Sequence, residues 1–499
     1  MSLTRNSIYS FAAAALPVAS AIATVPLYIN EIGAERYGAL VIAWTLLGYF
    51  GQADFGIGRA VTQRISSQRS APRATVAGTV WSGIVSMVIL GVLGGGIVFL
   101  LAGYFFGDVM KVDEGLRREL MRSLWALALC NPVVTLTGVL SGALIGVERF
   151  KYTSWSFLVS NLGLQILPLV VAATISHDLQ WLVAASLVGR ALGLLMMGAM
   201  VWKEFLNGQP VRPSWIEMRR LANFGAWIMV AALIGPMMIY SDRFIIGAIY
   251  GAMAVAVYTI PYQVAYRTLI LPQSVIGVLF PRFAALPEAE ALARCREYIV
   301  FVGQFFAPFI IGLICLAGPL LQLWLGAHLD PRSVSIAHVI LFGVWFMALG
   351  NVPLAFLQAR GNPRFTAVLS IAELPFYVVL LLGLGKAFGL VGIAWAFALR
   401  SAGDALILAW RANVADRWVL QHIAPTVALV LIAVAASEAS ESWVTAIAIA
   451  TGLVGACSIH LLYTLARMPD DVRRHFERLP LVGKILGHRA FKPVANHSA

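Results

Sequence analysis

Apolar segments of about 17 to 25 residues follow one another along nearly the whole chain, separated by short polar connections. A helix rises about 1.5 Å per residue, so each segment is long enough to cross about 30 Å of hydrocarbon. About fourteen fit, at roughly 8–29, 38–58, 77–103, 120–145, 153–175, 179–201, 222–247, 253–281, 298–324, 334–357, 365–385, 388–410, 421–437 and 442–466. Lipid offers a bare backbone no hydrogen-bond partner, so segments of this kind cross it as helices. The fold class is therefore all-α integral membrane. Composition agrees: of 499 residues 60% are hydrophobic and 12% charged, about half the charged share of an average soluble chain. Arg5, the apolar run behind it and the small residues Ala19, Ser20 and Ala21 imitate a secretory signal. The run continues to Ile29 and further spans follow, so it reads as an uncleaved first helix.

The net charge of +12 is unevenly spread. One set of alternate connections carries Arg59, Arg64, Arg69 and Arg73; Arg149 and Lys151; Lys203, Arg212, Arg219 and Arg220; Arg282, Arg294 and Arg296; Arg360 and Arg364; Arg411 and Arg417. The other set holds fewer, chiefly Arg36, Lys111, Arg117, Arg118, Arg122, Arg332 and Lys386. The positive-inside rule puts the first set, and with it both termini, in the cytoplasm. The charge thus marks a membrane face and calls for no nucleic acid. The basic tail at 467–499 includes "VRRHFERLPLVGKILG", where Phe476, Leu479, Val482 and Leu486 recur at roughly helical spacing. It reads as an interfacial helix on anionic membrane lipids.

Catalysis finds little support. Cys130, Cys295, Cys315 and Cys457 include no close pair, and no histidine falls at ligand spacing; neither a disulfide framework, a metal site nor a cofactor is called for. "FGIGRA" lacks the third glycine of a dinucleotide turn and ends a span rather than following a sheet strand. No connection on the less basic side exceeds roughly twenty residues, which leaves no room for a catalytic domain of the usual size. A membrane polymerase or ligase would need such a loop or a reactive constellation. The chain reads as one that moves something.

Short internal echoes divide it. "SLVGRALG" (Ser186 to Gly193) and "FALRSAG" (Phe397 to Gly403) superimpose Arg190 on Arg400. "RYGAL" (Arg36 to Leu40) matches "IYGAM" (Ile249 to Met253), and "GALIGVERFKYTSWS" from Gly142 matches "AFLQARGNPRFTAVLS" from Ala355. Repeats of this kind are common in transporters. They imply two six-helix bundles with pseudo-symmetry, 1–210 and 215–412, an additional helix pair at 413–466 and the tail at 467–499.

An ionisable group at mid-bilayer costs about 2.5–3.5 kcal/mol on insertion scales and usually faces a bundle interior. Asp54, Arg190, Asp242, Arg243, Arg267, Glu373, Arg400 and Asp404 are the candidates. Arg400 and Asp404 lie four apart on one helical face. Asp242 and Arg243 are neighbours that point about 100° apart, so one of them needs a partner on another helix or in a ligand, unless both snorkel to water. Arg267 falls near the middle of a span in which Tyr258, Tyr262 and Tyr266 make a face of polar-tipped aromatics, with Gln263 alongside. Pro261 and Pro272 let that span bend. Gly138, Gly142 and Gly146, and Gly91 to Gly95, read as close-packing ridges.

These residues have a familiar pattern. The six, six and two spans, "LYINEIGAERYGALVIAWTL" (Leu27 to Leu46), "DFGIGRAVTQRIS" (Asp54 to Ser66), "GALIGVERF" and "ARGNPRF" resemble the polysaccharide-exporter branch of the multidrug/oligosaccharidyl-lipid/polysaccharide (MOP) superfamily, the O-antigen and exopolysaccharide repeat-unit flippases of bacteria. The resemblance covers the chain to about residue 466. It implies movement of an undecaprenyl-pyrophosphate-linked oligosaccharide from the cytoplasmic to the periplasmic leaflet of the inner membrane, by alternating access through a cation-rich cavity. It also implies a place beside a polysaccharide polymerase and other assembly proteins. Asp54, Gly56 and Arg59 fall on the family's Asp-x-Gly and basic positions, and Arg267 where a cavity arginine is expected. Arg267, Arg59, Arg190 and Arg400 are then phosphate ligands, since a guanidinium grips a pyrophosphate with a planar fork, and Tyr262, Gln263 and Tyr266 touch glycan. Asp54, Asp242, Arg243, Glu373 and Asp404 are left for gating or for proton or sodium coupling. A drug antiporter of the superfamily would carry an acid in its first helix, and 8–29 has none. A flippase for a lipid-linked cell-wall precursor would share the basic cavity.

Overall fold

The computed structural model describes residues 3–52, 57–68, 71–361, 363–438 and 442–467. Asp54 and Gly56, Arg69 and the tail from 468 onward lie outside the described residues. Among the described residues the regular structure is helical, with no strand. The helices are α1 (Leu3–Gln52), α2 (Ile57–Ser67), α3 (Arg73–Tyr104), α4 (Glu114–Gly146), α5 (Phe150–Thr174), α6 (Leu179–Val201), α7 (Trp215–Tyr250), α8 (Ala252–Arg267), α9 (Ile270–Ala285), α10 (Glu288–Leu325), α11 (Arg332–Ala359), α12 (Pro363–Arg411), α13 (Arg417–Glu438) and α14 (Trp443–Arg467). Nine spans among the described residues are long and apolar enough to cross a membrane.

The boundaries between spans are set by glycine. Helix α1 is broken at Gly33 (φ 79°) and α12 at Gly389 (φ 63°), so each contains two helical runs, as the hydropathy pattern demands. Gly251, at φ 84°, separates α7 from α8. A side chain with a Cβ disfavours these angles. The expected span at 253–281 is interrupted after Arg267: Thr268 and Leu269 form a turn in which their N–H groups donate to Ala265 and Tyr266. Pro272 is the cause, because its ring excludes the helical position of the carbonyl four residues earlier, that of Thr268.

The chain forms two compact units. The first comprises Met1–Val264, Ala327–Ser333 and Ala367–Ile393; the second comprises Ala265–Gly326, Val334–Thr366 and Ala394–Ala499.

Lipid tails are as apolar as leucine, so helices in a membrane associate through close backbone approach and interhelical hydrogen bonds. The first unit does this with its glycines. On α4, Gly142 lies against the Gly58 carbonyl of α2, and Gly146 against Ile65 and Thr62. Thr62 Oγ1 ties the two helices by lying 3.0 Å from the carbonyls of both Gly58 and Gly142. Gly91, Gly94 and Gly95 of α3 receive Pro132, Asn131 and Ala128 of α4. Both ridges therefore pack helices, as their spacing indicates. Two segments that echo each other in sequence also meet: a Cβ on Gly38 of "RYGAL" would overlap the Ala252 carbonyl of "IYGAM". Ion pairs fix the helix ends. Arg64 of α2 makes a fork to Glu217 of α7, with Nε to Oε1 at 2.6 Å; Arg36 makes another to Glu119 of α4, which also accepts from the Leu179 N–H at the start of α6.

In the second unit Trp345 of α11 is fully buried and donates its indole N–H to the Gly303 carbonyl of α10 at 2.9 Å. The next residue, Gln304, reaches α13 and α14. The four cysteines are free thiols and buried.

Candidate functional site

The interior of the first unit holds a cation at mid-span. Helices α5 and α6 touch through backbone, Gly163 against Gly189 and Gly193 against Ser160. Arg190 follows Gly189 directly and stands halfway along α6. Its Nη1 lies 3.4 Å from Asn161 Oδ1 on α5, a long hydrogen bond, and its buried Nε has no hydrogen-bond partner among the described residues. Its electrostatic neighbour is the Cys130 thiol of α4. No carboxylate pairs with it among the described residues. A charge at mid-span is costly unless something of opposite sign visits it.

Helices α7 and α8 carry a second cluster. Asp242 and Arg243 are 1% and 4% exposed, so neither snorkels to water. They do pair, against the expectation from their 100° separation, because the long arginine side chain folds back: Nη1 lies 3.2 Å from Asp242 Oδ1. Asp242 also finds the expected partner on another helix, Tyr258 of α8, whose hydroxyl donates to Oδ2 at 2.9 Å. The guanidinium lies 4.4 Å from the Tyr262 ring centre and 5.4 Å from that of Tyr240, distances at which a cation is held by the ring face. Tyr262, read from sequence as a glycan contact, is thus buried beneath Arg243.

The remaining candidates are more dispersed. Gln263, Tyr266 and Arg267 are half-buried, and Arg267 is the last residue of α8, at the helix break. Arg400 is half-buried on α12 with its guanidinium 5.8 Å from the Phe397 ring centre, and Asp404 and Glu373 are half-buried on the same helix. Arg59 is exposed on α2.

Sequence reasoning missed Trp44. It lies halfway along the second run of α1 and donates its indole N–H to Ser186 Oγ of α6 at 2.9 Å. It also missed Gln304, whose buried amide nitrogen lies 3.0 Å from the His422 carbonyl and 3.0 Å from Thr464 Oγ1. A lone tryptophan or glutamine in an apolar run carries no periodic signal.

Fold and apolar helix length together define a multi-pass membrane protein. The chain aligns along 93% of its length, and 100% of the other, with the lipid II flippase MurJ in an inward closed conformation, at a TM-score of 0.68 and 14% identity. It aligns along 87%, and 100% of the other, with an inward-facing multidrug resistance MATE family transporter of the MOP superfamily, at a TM-score of 0.63 and 14% identity. At that identity the likeness shows the fold. In sequence it is 29% identical over 416 residues to a putative O-antigen transporter of Shigella flexneri, covering 82% of this chain and 97% of that one. It is 23% identical over 424 residues to a probable low-salt glycan biosynthesis flippase of Haloferax volcanii, covering 82% and 83%. The family described as "Polysaccharide biosynthesis protein" matches residues 3–286. The chain belongs to that family.

Proposed function

We propose that this protein moves an undecaprenyl-pyrophosphate-linked oligosaccharide repeat unit from the cytoplasmic to the periplasmic leaflet of a bacterial inner membrane, for surface polysaccharide or exopolysaccharide synthesis. The observation that carries the reading is Arg190, a mid-span guanidinium with no carboxylate partner among the described residues. Two features of the cargo suit it. A pyrophosphate is a dense anion that a guanidinium grips with parallel N–H donors, and the charge can be neutralised inside the bundle only while cargo is present. Arg267, Arg59 and Arg400 are further phosphate ligands in this reading, and Gln263 and Tyr266 glycan contacts.

Transport is by alternating access, with the six-helix halves 1–210 and 215–412 as the moving bodies and the pair at 413–466 beside them. Both termini are cytoplasmic by the charge rule, and the basic tail rests on anionic headgroups. The Asp242, Arg243 and Tyr258 cluster, with Glu373 and Asp404, serves gating or ion coupling. The direct test measures on which leaflet lipid-linked repeat units accumulate when the gene is deleted. Accumulation on the cytoplasmic leaflet is expected, and an unchanged distribution rejects the reading. Charge-removing changes at Arg190 and Arg267 are expected to abolish surface polysaccharide at normal protein levels.

A further inference from the structure

We infer that Trp44 is a sugar-stacking wall of the Arg190 site, set one helical turn from the arginine, and that it recognises the first sugar attached to the cargo's phosphate. This rests on the flippase reading above and names residues that read the glycan.

The placement follows from two hydrogen bonds. Trp44 Nε1 donates to Ser186 Oγ at 2.9 Å, and Ser186 Oγ in turn donates to the Leu182 carbonyl at 3.0 Å. The hydroxyl therefore has its donor and acceptor roles fixed, and the indole is held in one orientation. Ser186 and Arg190 are four residues apart on α6, so they occupy one face on successive turns, about 6 Å apart. On its other side the indole meets Tyr28 edge-on, with ring centres 5.6 Å apart at 78°. Tyr28 is itself held, its hydroxyl donating to the Gln165 carbonyl of α5 and its ring 5.8 Å from that of Tyr37. The wall is thus rigid before any ligand arrives, as a recognition surface requires.

What it leaves available is specific. Tyr28, Tyr37 and Ser186 are buried, whereas Trp44, Asn161, Gln165 and Arg190 are only half-buried. The N–H of Trp44 is already used, so its remaining capacity for a ligand is the apolar π face. Two polar atoms of the same helices have no hydrogen-bond partner among the described residues: a donor, Arg190 Nε, one turn from Ser186, and an acceptor, Gln165 Oε1, on the residue whose carbonyl holds Tyr28. Buried polar atoms left unpaired call for a missing partner. A phosphosugar complements all three: phosphate oxygens accept, a hydroxyl donates, and the C–H face of a pyranose covers an aromatic ring.

The test uses the full-length protein purified in detergent and two probes, undecaprenyl pyrophosphate alone and the same lipid carrying one N-acetylglucosamine. The wild-type protein is expected to bind the glycosylated probe more tightly. Trp44→Ala should lose about tenfold in affinity for the glycosylated probe and bind the bare probe as the wild type does; Trp44→Phe should keep most of the difference; Arg190→Gln should weaken both. Trp44→Leu, which keeps an apolar side chain of substantial volume, carries the comparison where the alanine variant is not recovered folded. Equal losses on both probes, no loss on either, or equal wild-type affinity for the two overturns the stacking wall and leaves the flippase reading standing. Wild-type protein that binds neither probe overturns that reading and this one with it.

Discussion

The Tyr258 hydroxyl donates to Asp242 at 2.9 Å across the α7–α8 hairpin, while the other carboxylate oxygen faces Arg243 at 3.2 Å. A buried pair is weak evidence for stability, but removing one partner strands the other charge at a cost of about 3–5 kcal/mol. Asp242→Ala is therefore expected to lower the folded yield and the thermal midpoint sharply. Asp242→Ala/Arg243→Met, which removes both charges, should recover most of the loss. A double variant no more stable than Asp242→Ala rejects charge stranding as the cause, and the transport assay then shows separately whether the pair is needed for movement.

Arg190 predicts the opposite balance. Its charge has no carboxylate partner among the described residues, so Arg190→Leu removes a desolvated cation and gives up one long hydrogen bond. The thermal midpoint in detergent should stay level or rise, while surface polysaccharide is lost. Sites that break local rules and gain stability when repaired are usually functional ones. A marked fall in the midpoint would make Arg190 a structural residue.

Much of this was legible beforehand because apolar length and glycine carry simple signals. The run lengths give the helices, and Gly33, Gly251 and Gly389 break them where hydropathy changes. The break after Arg267 was legible only as bending, since Pro272 announces a lost backbone bond but not which turn opens. The pairing of Asp242 with Arg243 was misjudged because helical angle describes where a Cβ points, not where a long side chain ends. Trp44 was invisible: its meaning depends on Ser186, 142 positions later in the chain. Arg190 could be flagged as a mid-span charge, but that no carboxylate among the described residues pairs with it emerges only in three dimensions.

Gly38 makes a steric prediction. A Cβ there would overlap the Ala252 carbonyl oxygen and come within 3.1 Å of the Ala256 nitrogen. Those are backbone atoms, which cannot rotate away, so Gly38→Ala must separate the second run of α1 from α8. Overpacking of this kind costs about 1–3 kcal/mol or more. Gly96 of α3 is the control: nothing lies within 4 Å of its added Cβ, and alanine is the better helix former. Thermal unfolding should show a lowered midpoint for Gly38→Ala and an unchanged or raised one for Gly96→Ala. Equal midpoints would mean that the α1–α8 contact opens without cost.

Gln304 decides how the terminal helix pair is held. Its amide nitrogen lies 3.0 Å from the His422 carbonyl of α13 and 3.0 Å from Thr464 Oγ1 of α14, and His460 Nε2 lies 3.0 Å from the same carbonyl. One fully buried side chain on α10 therefore donates to both terminal helices. Gln304→Leu gives up those donations, each worth about 0.5–1.5 kcal/mol net, but also removes Oε1, a buried acceptor with no partner among the described residues; the loss should be modest. Gln304→Glu preserves the shape but either buries a charge with no donor or protonates and offers one donor where the amide offered two, setting the other carboxyl oxygen among acceptors in a dry site. It should be much the worse of the two. Limited proteolysis in the 412–416 connection reads this out: faster cleavage for Gln304→Glu than for Gln304→Leu supports the clasp, whereas two variants as resistant as the wild type would leave α13 and α14 held by apolar packing alone.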